Sequence, residues 1–183
     1  KAKYPAHNFK RSAPILANLR MRKEPQEIDA IRRACALVDE ACTHITEIVK
    51  TGMTEAELAW RIEVYVRERG AVRMGFDSII GSGPNAAIIH GRAGNRGIGS
   101  SGEPEFLLCD FGCEIDGYNS DITRTFVVGG EPTERMQHIF NTVHHAQDAA
   151  CNAIKSGVAG KDIDALARGI LADAGYGNMP HNL

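Results

Sequence analysis

The stretch Cys109-Asp110-Phe111-Gly112, followed by Gly117-Tyr118-Asn119-Ser120-Asp121-Ile122-Thr123-Arg124-Thr125-Phe126, decides the fold of this chain. The two runs are joined through Asp116-Gly117, and this dipeptide between apolar runs is a strong signal for a β-hairpin. Asp110 and Asp121 stand eleven positions apart, one in each run. The stretch therefore predicts a hairpin that carries two carboxylates.

The turn leaves two registers open. A loop at Ile115-Asp116 places Asp110 directly opposite Asp121, and a loop at Asp116-Gly117 places the two diagonally. In both registers the carboxylates share one face, because side chains alternate along a strand with a period of two. Like charges about 5–8 Å apart on one face repel each other unless something lies between them. A shared proton or a hard cation can do this, so the pair predicts an acid/base site or a metal site.

The surroundings of Asp110 favour the cation. Strand interiors disfavour Asp, and a carboxylate buried in Phe-Leu-Leu-Cys-Asp-Phe needs a partner. No Lys or Arg lies on this strand, and Arg124 is predicted on the face opposite Asp121. The alternative is an exposed Asp beside a turn and a second Asp that caps local backbone. Oxygen ligands alone suit Mg²⁺ or Mn²⁺, and an added imidazole widens the choice to Zn²⁺, Co²⁺ or Fe²⁺.

Length and composition exclude several classes of function. The 183 residues can form one domain with a proper core, and a formal net charge of −2 gives no basic excess for binding nucleic acid. No apolar run approaches the roughly 18 residues of a membrane span. The five cysteines form no Cys-x-x-Cys pair, and Cys109 and Cys113 are interpreted as small core residues. A reducing, cytoplasmic setting fits this usage best.

Periodicity predicts a chain of mixed helices and strands. We expect helices at about residues 24–50, 54–70, 133–155 and 161–174, and strands at about 76–80, 106–113 and 118–128. Thr54 and Glu57 have the spacing of a capping box. Residues 1–23, with weak periodicity and two prolines, are expected to be a linker or a surface arm.

Two segments of the chain are similar to each other. Val49-Lys50-Thr51-Gly52-Met53 matches Ile154-Lys155-Ser156-Gly157-Val158, and Glu57-Leu58 and Gly70 match Asp162-Ile163 and Gly175 at the same offset of 105. Chance is the alternative, since Gly commonly ends helices. So many matches on one offset favour an internal duplication. Because eight residues follow Gly175, the second set of strands is expected to be absent.

The histidines give weaker signals. His90 follows the glycine-rich loop Gly81-Ser82-Gly83-Pro84-Asn85 and a short apolar run, where a satisfied, partly buried side chain is the alternative to a catalytic one. The Gly-x-Gly is too short for a phosphate-binding loop. His144 and His145 are neighbours on one predicted helix, so chelation by both is disfavoured. His181 carries no meaning by itself.

In this order along the chain, the motifs resemble the Xaa-Pro aminopeptidase and prolidase branch of the pita-bread metallopeptidases. The aspartate stretch resembles the metal hairpin of that branch, and Ser82-Gly83-Pro84-Asn85 with His90 resembles its substrate-side loop. Weaker matches are Leu19-Arg20, Lys23 and Glu27-Ile28 at the entry to the catalytic domain, and Gly175-Tyr176-Gly177 with Pro180-His181-Asn182-Leu183 before a metal-binding histidine.

The resemblance implies an α/β pita-bread fold with internally duplicated halves, the second half incomplete, around a dinuclear metal site. It places metal ligands at Asp110 and Asp121 and active-site histidines at His90 and His181. It implies two divalent metal ions in the intact enzyme, with Mn as the first candidate and Co, Zn or Fe as alternatives. The remaining ligands would follow residue 183, so these 183 residues alone are expected to be inactive and to bind metal weakly.

Residues 24–183 are then expected to be a partial catalytic domain, and residues 1–23 the linker from a missing N-terminal domain. The expected activity is metal-dependent hydrolysis of N-terminal peptide bonds, chiefly Xaa-Pro, in small peptides, by a protein that forms a homo-oligomer such as a dimer. The alternatives are a creatinase-like C–N hydrolase, which works without metal, and a non-catalytic binding module on the same fold. The presence of both aspartates argues against each alternative.

Overall fold

Helices alternate with short strands in the computed structural model, which describes residues 12–178. Within these residues the helices are α1 (Ala13–Met21), α2 (Pro25–Ile48), α3 (Glu55–Glu68), α4 (Glu134–Ala153) and α5 (Gly160–Asp173). The strands are β1 (Arg73–Met74), β2 (Ile79–Ser82), β3 (Glu105–Phe111), β4 (Cys113–Ile115), β5 (Tyr118–Asn119) and β6 (Ile122–Val128). A 3-10 helix, Gly83–Ala87, follows β2. The predicted α/β class is confirmed.

The start of α3 has the capping box that the sequence predicts. Thr54 Oγ1 accepts a hydrogen bond from Glu57 N at 3.1 Å, and Glu57 Oε2 accepts one from Thr54 N at 2.8 Å. Two backbone donors that have no partner inside the helix are thereby satisfied. Helix α4 has the first of these two bonds, because the side chain of Thr133 accepts from Met136 N.

Helix α1 lies within the segment expected to be a linker. A proline stands in its first turn, where a missing N–H is tolerated. The side chains of Ile15, Leu19 and Met21 are 65%, 70% and 69% exposed, so they form no buried stripe from which periodicity would indicate a helix. The division into a linker at 1–23 and a catalytic domain at 24–183 stays a prediction.

The strands form two three-stranded sheets, in the orders β1-β4-β5 and β2-β3-β6. The strand predicted at about 76–80 is therefore only partly right, because β1 and β2 belong to different sheets and residues 75–78 lie between them. Gly75 N donates to Gly112 O at 2.8 Å just after β1. A chain that changes sheet here cannot form one continuous strand.

The described chain divides into two compact units, each with its own core. The first unit contains residues 12–48, 60–78 and 110–123, and in it α2 lies against β4 and β5. Its buried apolar residues are Ala30, Ala34, Leu37, Val38, Ala41, Ile45, Ile62, Val66, Ala71, Phe111, Cys113 and Ile115. The second unit contains residues 49–59, 79–109 and 124–178. Its buried apolar residues are Leu58, Ile80, Ile98, Leu107, Cys109 and Ala146.

Two expectations from composition can be compared with the structure. The five cysteines, all within the described residues, are thiols rather than disulfides. Cys109 and Cys113 are both 0% exposed, which confirms their interpretation as core residues. In the part of the chain from 12 to 178, no helix has the length and apolar character needed to cross a membrane.

Candidate metal centre

The hairpin that the sequence predicts is present, and its register is the second of the two possibilities. Glu114 pairs with Asn119 and Ile115 with Tyr118, so the loop is Asp116-Gly117. Asp116 and Gly117 have φ angles of 50° and 82°, the positive values that a two-residue type I′ turn requires at both positions. Arg33 Nη2 donates to Asp116 Oδ2 at 2.6 Å and ties the turn to α2.

Below the turn, the backbone crosses at Gly112 without room for a side chain. A Cβ placed on Gly112 would lie 1.9 Å from Ser120 O. Ser120 is 3% exposed; its N donates to Cys113 O at 2.9 Å and its Oγ accepts from Cys113 N at 3.1 Å. Strand β3 ends at Phe111 and β6 begins at Ile122, so the regular ladder is interrupted here.

The two aspartates flank this crossing in the chain and both belong to the first unit. Asp110 is half-buried near the end of β3, with its Oδ1 atom shielded from solvent, whereas Asp121 is exposed just before β6. Residues of equal parity share a face only in an uninterrupted ladder. The placement of both carboxylates on one face therefore stays a prediction.

The donor chemistry of the pair fits part of a divalent metal site. Carboxylate oxygens are the ligands that Mg²⁺ and Mn²⁺ prefer, but such ions take about six donors. Across residues 12–178, no group of three or more His, Cys, Asp or Glu side chains is arranged to hold a metal ion. Asp110 and Asp121 thus fit one portion of a ligand set, and the other donors would have to be added to them.

His90 lies in the second unit, on an exposed turn after the 3-10 helix Gly83–Ala87. Its φ angle is +53°, a left-handed conformation that non-glycine residues adopt only rarely and that is enriched at functional sites. His181 lies outside the described residues. The grouping of His90 and His181 with the two aspartates therefore stays a prediction.

Two buried glutamates near the His90 turn were missed by the sequence reasoning. Glu55, the first residue of α3, is 0% exposed, and Glu105, the first residue of β3, is 7% exposed. Ser82 lies between them: its N donates to Glu55 Oε1 at 2.8 Å and its Oγ donates to Glu105 Oε1 at 2.5 Å. For Glu105 a signal was available, because it has the same parity as the buried Leu107 and Cys109. For Glu55 there was none, since acidic residues are common in the first turn of any helix.

Glu105 is held as a carboxylate by its hydrogen bonds. Burial alone would raise its pKa, but donors from Ser82, Gly99 and Arg96 outweigh burial and lower the pKa from its ordinary value. Gly99 N donates to Oε1 at 2.8 Å and Arg96 Nη2 donates to Oε2 at 2.9 Å. The charge therefore fixes the segment around residues 96–99 to the start of β3.

The sequence and the fold together place this chain among the metallopeptidases. The profile of metallopeptidase family M24 matches residues 29–183, and the chain belongs to this family. It is 36% identical over 178 residues to an Xaa-Pro dipeptidase from Pyrococcus furiosus, covering 97% of this chain and 50% of the relative. It is also 36% identical over 169 residues to an Xaa-Pro dipeptidase from Pyrococcus horikoshii, covering 92% and 47%. The chain spans about half the length of the curated relatives it matches.

Solved structures agree with this family assignment. The prolidase from Pyrococcus furiosus superimposes with a TM-score of 0.88 at 37% identity, over 93% of this chain and 49% of that chain. The X-Pro aminopeptidase from Thermotoga maritima superimposes with a TM-score of 0.84 at 33% identity, over 90% and 46%. The prediction of a pita-bread fold of the Xaa-Pro aminopeptidase and prolidase branch, present in part, is confirmed.

Proposed function

We propose that this chain is part of a metal-dependent peptidase that hydrolyses N-terminal peptide bonds, chiefly Xaa-Pro, in small peptides. The observation that carries the proposal is that a chain of family M24 has an aspartate on each side of the β4–β5 hairpin, Asp110 and Asp121. Its similarity to two Xaa-Pro dipeptidases supports the choice of peptides with proline in the second position.

In this proposal each named residue has a role that its chemistry allows. Asp110 and Asp121 bind the divalent ions, and the half-buried position of Asp110 would limit competition from water. His90 donates a hydrogen bond to the carbonyl oxygen of the scissile bond as negative charge develops there. His181 has a similar role near the leaving group. When bound, two divalent ions, with Mn as the first candidate, supply Lewis-acid polarisation of the carbonyl and lower the pKa of an attacking water.

The two competing proposals are a creatinase-like C–N hydrolase and a non-catalytic binding module. A creatinase-like C–N hydrolase would not require the aspartate pair, and a binding module would not require any of the four residues. We also propose a reducing, cytoplasmic setting, which suits the five thiols. A homodimer is proposed as the working oligomer.

The deciding experiment compares Asp121→Asn with Asp116→Asn in the full-length gene product, using Xaa-Pro and Xaa-Ala dipeptides with added Mn²⁺. Both variants remove one carboxylate from the same hairpin. Asp121→Asn is expected to lower kcat/KM for the Xaa-Pro dipeptide by roughly a thousandfold or more, because a metal ligand is lost. Asp116→Asn is expected to stay within about twofold, since Asn suits the positive φ at that turn position.

Equal activity of the two variants would contradict the metal role of Asp121. Metal-independent cleavage of a guanidino substrate by the wild type would support the C–N hydrolase instead. Peptide binding without turnover, at any Mn²⁺ concentration, would support the binding module. The 183-residue chain assayed alone is expected to show no turnover.

A further inference from the structure

The geometry points to Glu55 as a positioning residue for His90, acting through the segment that carries it. This inference rests on the proposed function, in which His90 contacts the substrate. The segment is residues 82–94, here named the His90 loop. It begins at the last residue of β2 and contains the 3-10 helix Gly83–Ala87.

One buried carboxylate holds the His90 loop at three points. Glu55 Oε1 accepts from Ser82 N at 2.8 Å and from Asn85 Nδ2 at 3.0 Å. Glu55 Oε2 accepts from Gly94 N at 3.1 Å and from Asn85 Nδ2 at 3.1 Å. Ser82 and Gly94 are the two ends of the loop and Asn85 lies inside it. A single side chain, 0% exposed, therefore fixes both ends of the loop and its interior.

The backbone at the start of α3 strengthens the same connection. Glu55 N donates to Arg96 O at 3.1 Å and Ala56 N donates to Gly94 O at 2.9 Å. The first N–H groups of a helix have no partner within it, so the last residue of the loop satisfies one of these donors and Arg96, two positions further on, satisfies another. Loop and helix start are thus mutually stabilising.

From Asn85, hydrogen bonds continue to the residues beside His90. Asn85 O accepts from Ile88 N at 3.1 Å, and Ile88 O accepts from Gly91 N at 3.1 Å. His90 lies between Ile88 and Gly91 in its left-handed conformation, which is unfavourable unless its surroundings hold it. Ile88 is 55% exposed, so apolar burial contributes little at this tip. The polar contacts that begin at Glu55 therefore contribute to the position of His90.

The test begins with Glu55→Gln in the full-length gene product. Gln has nearly the same volume, but it replaces one acceptor oxygen with an NH₂ group that faces other N–H donors. We expect amide hydrogen exchange at Gly94 to become at least roughly tenfold faster. We expect kcat for an Xaa-Pro dipeptide to fall roughly 10–100-fold, the effect of a small misplacement of a reacting group, while KM changes less than about threefold.

Glu57→Gln is the matched control, because Glu57 is the other acidic residue in the first turn of α3 and its carboxylate accepts from Thr54 N and Thr54 Oγ1. It is expected to leave kcat and the exchange of Gly94 within about twofold of wild type. Asn85→Ala is a second test variant, which removes the central contact and leaves those of Ser82 and Gly94. It is expected to accelerate exchange at Gly91 and to lower kcat, and it keeps the inference testable if Glu55→Gln fails to fold.

A double-mutant cycle separates positioning from general stability. In a His90→Ala background, Glu55→Gln is expected to change kcat by less than about twofold, because the residue through which it acts is gone. The inference would be overturned if the effects of Glu55→Gln and His90→Ala on kcat multiplied in the double variant. Unchanged amide exchange at Gly94 in Glu55→Gln would also overturn it. If the wild type shows no peptidase activity, the proposed function fails by itself. Faster exchange at Gly94 and Gly91 would then still support the role of Glu55 in holding the loop, and unchanged exchange would overturn it.

Discussion

The two similar segments, residues 49–53 and 154–158, form helix–glycine–helix corners with the same backbone but different support. The φ angle is +88° at Gly52 and +90° at the matching Gly157. A second matching pair follows the second helix of each copy, with φ angles of +102° at Gly70 and +87° at Gly175. In the first corner, Gly52 N donates to Ile98 O and Ile98 N donates to Met53 O, both at 2.8 Å. Both corners also contain the same local bond, from Met53 N to Lys50 O at 3.0 Å in the first and from Val158 N to Lys155 O at 3.2 Å in the second.

The difference extends to the helices and to the residues that follow each corner. Val38 on α2 is 2% exposed, whereas its counterpart Val143 on α4 is 53% exposed. At the offset of 105, the position of Thr54 is taken by Ala159 and that of Glu55 by Gly160. Local sequence therefore sets the shape of the corner in both copies. The buried carboxylate that holds the His90 loop belongs to the first copy.

The largest expected difference between the copies concerns the matched valines. Val38→Ala should lower the free energy of unfolding by about 2 kcal/mol, because two methyl groups leave a closed core. In this 183-residue chain, Val143→Ala should change it by less than about 0.5 kcal/mol, because the side chain of Val143 is 53% exposed there. Urea denaturation followed by circular dichroism measures both. Equal losses would show that the second copy is as tightly packed as the first.

A second difference between the corners should appear as the pH is lowered. Glu105 stabilises residues 96–99, and within this segment Ile98 bonds to Gly52 and Met53 of the first corner. The folded-state pKa of Glu105 is lowered, so its contribution is fully present above the unfolded value of about 4.3 and is lost as the pH falls through the lower folded value. Glu105→Gln should therefore cost about 1.5 kcal/mol at neutral pH and progressively less toward pH 3. Thermal melts of wild type and variant across this range test the prediction, and a gap that stays constant would refute it.

The smallest expected difference concerns the helix caps. Thr54→Ala should destabilise the protein by about 1 kcal/mol, because the capping box of α3 is lost. Ala159→Thr should stabilise it by about 0.5 kcal/mol, because Ala159 has the extended conformation of an N-cap but no side-chain bond. Ala159→Val is the control, since Val has the shape of Thr without the hydroxyl. A gain from Val as large as that from Thr would assign the effect to packing.

Features that depend on neighbours in sequence could be predicted from the sequence. The capping box at Thr54 and Glu57 and the turn at Asp116-Gly117 were both expected, because turn and cap chemistry acts over two to four residues. The alternation in β3 was also readable: Cys109 is 0% exposed and Asp110 is half-buried on the opposite parity. For the alternation in β3, the hydrophobic period alone was sufficient.

Features that depend on distant segments could not be predicted in the same way. Glu55 resembles any acidic residue at a helix start, and its burial comes from residues 82–94, which lie about 30 positions away. The strand break at residues 75–78 follows from a change of sheet, which no local pattern encodes. The interruption at Gly112 has the same origin, because β3 and β4 belong to different sheets. The predicted common face of the two aspartates holds only for a regular ladder, and the sequence did not indicate that the ladder is interrupted.

The close approach of Ser120 O to Gly112 also limits how this hairpin can change over generations. Any residue larger than glycine at 112 would force the crossing strands apart, since an added Cβ meets that oxygen at 1.9 Å. At the tip, Gly117 has nothing within 4 Å of an added Cβ, so Asn or Asp could replace it there. Substitution by Asn or Asp is therefore tolerated at the tip of the hairpin, at Gly117, whereas Gly112 tolerates no substitution. Gly112 lies in the part of the chain that Asp110 and Asp121 flank.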